Sequence, residues 1–175
     1  CNIADLLVER LDDLKAMMKP VPCRIVMHDH DADGTRRRSS ANDNILIRAV
    51  PGVEFLHAEK AMGPGIGCQS VAPMPMEDAK TMFQEASDLG ADYIVMPYHS
   101  CYRQHCKMQL THGVEVHHYL SLIAKSIGIP FQEIFKELQL LDNVDAAVER
   151  LKPRIRQLGY SEEEVHRYVK SVIYM

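Results

Sequence analysis

Four short apolar runs, separated by amphipathic patterns, constrain this chain more than any other feature. Arg24 to Met27, Val53 to His57, Ala91 to Val95 and Val114 to Tyr119 carry the β-branched, aromatic and aliphatic residues of buried strands. Helical patterns lie between them. Strands that alternate with helices over this length predict a parallel sheet, because parallel neighbours need long crossover connections and those connections cover both sheet faces. The expected fold is therefore α/β: a mainly parallel four-stranded sheet flanked by helices, with right-handed crossovers.

The intervening segments fit that scheme. Residues 3 to 18 carry Ile3, Leu6, Leu7, Leu11, Leu14 and Met18 at spacings of three and four, which predicts one amphipathic helix ended by Pro20 and Pro22. Asn42 or Asp43 is placed to cap a short helix through Val50, before a Pro51-Gly52 turn. Residues 77 to 89 turn Ala79, Met82, Phe83, Ala86 and Leu89 inward and stop at Gly90. Further helices are expected from about Ser100 to Leu110 and in the stretch that ends before Gly128. Beyond Pro130 the pattern is helix only, over 131–141, 143–157 and 161–173, the last opened by Ser161 with Glu164 three residues on. This divides the chain into an α/β domain, 1–130, and a helical extension, 131–175.

Composition narrows the function classes. With 175 residues, 46% of them hydrophobic, one full core and a small appendage can be buried. The net charge of −4, with Arg36-Arg37-Arg38 the one basic run, argues against nucleic acid and anionic membranes as general partners. No apolar stretch approaches the roughly 20 residues of a membrane span, and the expected location is cytoplasmic. Five cysteines, an odd number, point to reduced thiols or metal ligands and not to a disulfide framework.

The chemistry-bearing residues fall in three segments. Met96 to Cys106, after the third strand, is the densest patch of soft ligands, holding His99, Cys101, His105 and Cys106. Met62 to Ser70 alternates glycines around Cys68, a loop in which backbone can approach a ligand closely. His28 to Gly34, after the first strand, is an acid-rich turn. All three are expected at one end of the sheet.

The order of these motifs resembles the cysteine-rich CCG domain of the heterodisulfide reductase family, shared with the iron–sulfur subunits of glycolate and lactate oxidases. The resemblance runs from about residue 3 to 130. It is carried by Val26-Met27-His28-Asp29, by Ala49-Val50-Pro51-Gly52-Val53-Glu54, by Ala86 to Pro97, and by Ser100-Cys101-Tyr102-Arg103-Gln104. It implies a redox subunit whose partners are other subunits of a redox complex or a second copy of itself. The family's pattern is a cysteine after the His-Asp, a Cys-Cys-Gly in the glycine loop and a Cys-Pro-x-Cys after the third strand. Here those positions fall on Asp31, on Gly67-Cys68-Gln69 and on Tyr98-His99-Ser100-Cys101, so Cys68 and Cys101 alone remain of five. A [4Fe–4S] cluster takes four thiolates, and a family-type cluster is not expected.

What the residual side chains suit is a tetrahedral zinc site or a mixed-ligand iron site drawn from Cys68, Cys101, His28, Asp31, His99 and His105. Cys101 and His105, four apart on a helix, can face one point. The competing reading is that Cys68 and Cys101 are small buried hydrophobes left from a former cluster site, and for Cys106 that reading is stronger. Asp29 to Gly34 matches the first half of a calcium loop, but its twelfth position is Ser40 and three arginines flank it. Alternation along a strand sends only one of His117 and His118 inward, so these read as strand residues. Three functions follow: a redox domain acting at the Cys68/Cys101 edge, a cluster-free assembly or binding module that docks through its helical tail, and a zinc- or calcium-binding domain.

Overall fold

A computed structural model describes residues 3–28, 34–59 and 76–174, with side chains described from 41 and 79 onward in the second and third segments. The chain divides into two compact units, Cys1–Phe131 and Gln132–Met175.

The first unit is built on strands β1 (Cys23–Met27), β2 (Val53–Leu56), β3 (Tyr93–Met96) and β4 (Glu115–His118). They form one sheet in the order β2-β1-β3-β4. Every pairing is parallel, with Ile25 opposite both Phe55 and Tyr93, and Val95 opposite His117. The expected α/β fold is the observed one, and each strand lies within two residues of its predicted bounds.

Helices cover the sheet. On one face, α1 (Ile3–Glu9), α2 (Leu11–Met17), α3 (Gly34–Arg48) and α7 (Tyr119–Ser126) bury Ala4, Leu14, Leu46, Ile47, Tyr119, Leu122 and Ile123 against Ile25, Met27 and Val95. Alternation turns Val26, Ile94, Met96 and Val116 to the other face. There the buried side of α4 (Met76–Asp88) meets the segment made of α5 (His99–His105), a 3-10 turn (Cys106–Met108) and α6 (Gln109–His112). Phe83 of α4 packs its ring against His105 and His112 of that segment, with centroids 6.3 and 5.5 Å away.

The helix expected from about Ser100 to Leu110 is divided by the 3-10 turn at Cys106–Met108, and two further helices differ from expectation. The single helix predicted over 3–18 is broken at Arg10, whose backbone leaves helical geometry (φ −111°, ψ 25°). In a straight helix, residues ten apart are rotated by about 80° from one another. The break lets Ala4 and Leu14, ten apart, reach the same core. Nor does a helix begin at Asn42 or Asp43: α3 starts at Gly34, and Asp43 lies in its interior, fully buried. The second half of the twelve-residue calcium loop is thus backbone of α3.

Arg24 fastens the lower end of the sheet. Its guanidinium donates to the carbonyls of Gly90 and Leu89, each at 2.9 Å, while its own N–H donates to the Asp92 carboxylate at 2.7 Å. Gly90 has φ +69°, and a Cβ there would come 2.6 Å from the guanidinium. The left-handed backbone is what favours glycine at that stop, since the flexible guanidinium can move aside from a Cβ at the cost of its present bonds.

The second unit holds α8 (Ile134–Leu140), α9 (Val144–Leu158) and α10 (Glu162–Tyr168), the last continuing into a π-helical turn, Val169–Ile173. Its core is Leu138, Ala147, Val148, Ile155, Val169 and Ile173. The Ser161/Glu164 capping box is present in both directions. Among the described residues, no helix is long and apolar enough to cross a membrane.

Candidate functional site at the carboxyl end of the sheet

The strand order fixes where a site belongs. From β1 the chain crosses outward to β2 and then returns past β1 to β3, so the connections leave β1 and β3 in opposite directions. That is a topological switch point, and the crevice beyond the carboxyl ends of such neighbouring strands is where doubly wound sheets bind ligands. His28 follows β1 and Pro97-Tyr98-His99 follow β3, so the first and third of the predicted segments end side by side. Asp31 and Cys68, together with the rest of the glycine loop, lie outside the described residues.

His28 is fully buried. Its N–H donates to the Val95 carbonyl at 2.9 Å, extending the β1–β3 pairing by one residue. Its ring meets that of His105, also buried, edge to face with centroids 6.1 Å apart. Cys101 and His105 both lie on the buried side of α5, as their spacing predicts, and Cys106 is buried beyond them. Three of the six predicted ligands, His28, Cys101 and His105, are therefore interior groups. His99 differs: it is exposed, stacked over Tyr102 with ring planes 28° apart and centroids at 6.0 Å. Partial burial, and then the positive charge of Arg103, hold its imidazole below the ordinary histidine range.

The fit to a family cluster can be tested at the third motif. Tyr98, where the family has a cysteine, is the extended residue that caps α5, and its phenol offers no thiolate. Cys101 keeps its thiol one turn into the helix. Among the described residues, no group of three His, Cys, Asp or Glu side chains is placed to hold a metal ion. The described part of the site does not fit a four-thiolate cluster.

The structure also gathers residues that sequence reasoning missed. His118 closes β4 and caps α7, its Nδ1 accepting the Leu120 N–H at 3.3 Å. Its ring lies 6.5 Å from that of His99 and 6.4 Å from that of Tyr102, edge-on to both, and 4.8 Å from Tyr119. Tyr119, the next residue, lies close enough to Asp43 of α3 for the carboxylate charge to bear on its phenol. Both are almost wholly buried. Burial, and then the charge of Asp43, push the Tyr119 phenol far above its usual value. The signal available in the sequence was the His118-Tyr119 pair at the end of a predicted strand. Period-two reasoning hid it, because His118 is the last residue of β4, paired with Met96, and its side chain serves as the cap of the helix that starts at the next residue.

No protein-family model matches the sequence, and no curated protein matches it.

Proposed function

We propose that this chain is a relative of the CCG-domain redox proteins that has kept the sheet end of that group and lost its iron–sulfur cluster, and that it serves a redox complex as a binding or assembly subunit. The observation that carries this reading is the adjacency of β1 and β3. It sets His28 beside the 97–106 segment, the two motifs with the strongest resemblance to the family. The substitutions argue for the loss: Asp31, Gly67 and Tyr98 stand where thiolates are required. The apolar, histidine-lined remnant behind Tyr98 is suited to packing and ligand contact more than to electron transfer.

A mixed-ligand metal site is the second reading, favoured by one observation: Cys101 and His105 are buried on the same side of one helix. Cys68 or Asp31 would have to complete it, since tetrahedral zinc takes four ligands.

Protein purified without oxygen separates these readings by iron, zinc and acid-labile sulfide analysis. The expected result is substoichiometric iron and sulfide. About four irons and four sulfides per chain would overturn the cluster-free reading, and one zinc that is lost on replacing Cys101 with serine would establish the second.

A further inference from the structure

We draw no further inference here: the strongest candidate, the acidic cleft between α9 and α10 lined by Asp145, Glu149, Glu162 and Glu163, carries nothing because each of these carboxylates is already paired, with Lys152, His166 or Arg167, and among the described residues no second feature of the cleft points to a ligand.

Discussion

The two units of the chain use their polar residues in opposite ways. In the α/β unit the buried polar side chains include His28 and His105, edge to face near the carboxyl end of the sheet, and Asp43 of α3 beside Tyr119. In the helical unit, polar groups close helix ends. Asn143 accepts the Ala146 N–H at 2.9 Å, Ser161 and Glu164 cap each other, and the Tyr174 hydroxyl donates to the Leu138 carbonyl. Its one buried cation among the described residues, Lys136, is paired with Glu133 at 3.2 Å. Burying an ionisable group is costly unless it is well partnered. Capping costs little and stabilises. Among the described residues, the first unit thus carries buried ionisable side chains within its core, whereas the second uses polar groups such as Asn143 and Ser161 to close helix ends.

The sharpest way to break this comparison is to damage each core. Ile25 is fully buried in a central strand and contacts both flanking strands, so Ile25→Ala should cost about 4 kcal/mol, near the upper part of the range for such truncations. Ile155→Ala in the smaller helical core should cost about 2 kcal/mol. Amide hydrogen exchange read separately in β3 and in α9 checks both. Equal losses in both segments for either variant would mean that the two units unfold as one.

A smaller effect is expected at the buried Asp43–Tyr119 pair. Tyr119→Phe removes the phenol hydroxyl that the buried Asp43 carboxylate bears on and should cost about 1 kcal/mol, the net worth of a typical polar contact. Asp43→Asn on that background should cost much less than it does alone, because the partner is already gone. Urea unfolding of the four proteins in the cycle measures the coupling. Additive losses would show that the two side chains act independently.

These residues also show where the sequence was readable. The strands were legible because each is a continuous apolar run that a two-faced parallel sheet demands. Asp43 was misread as a helix cap because Asn and Asp usually occur there; its true role depends on Tyr119, far away in sequence, which local pattern cannot reveal. The helix break at Arg10 has the same origin, since the core and not the local sequence requires Ala4 and Leu14 on one side. At the site, the spacing of Cys101 and His105 correctly placed both on one helix face. His118 went unseen because its part is played as a cap, a position that histidine rarely fills.

In the helical unit the expected effects are no larger. Asn143→Ala removes the cap of α9 and should cost about 1 kcal/mol, seen as faster exchange in the first turn of that helix. No change there would mean that water replaces the cap without loss.

The smallest effect is a pH dependence at the start of α10. The Glu164 carboxylate accepts from the Ser161 hydroxyl at 2.7 Å and the Ser161 N–H at 3.0 Å. Those bonds, the hydroxyl first, hold its acidity below the ordinary glutamate range. A carboxyl whose folded value lies below its unfolded one binds fewer protons when folded, so its contribution is complete above the unfolded value and disappears as pH falls through the folded one. Helix α10 should therefore fray on acidification below the normal glutamate range, with the Glu164 side-chain carbon signal titrating at lower pH than that of a free glutamate. Ser161→Ala removes the hydroxyl and leaves the backbone bond, so it should bring the Glu164 titration only part of the way back. Exposure to water keeps the effect on stability slight. An unshifted Glu164 titration in the unaltered protein would remove the capping box from the forces that close this helix, leaving the second unit to its apolar core and the Asn143 cap.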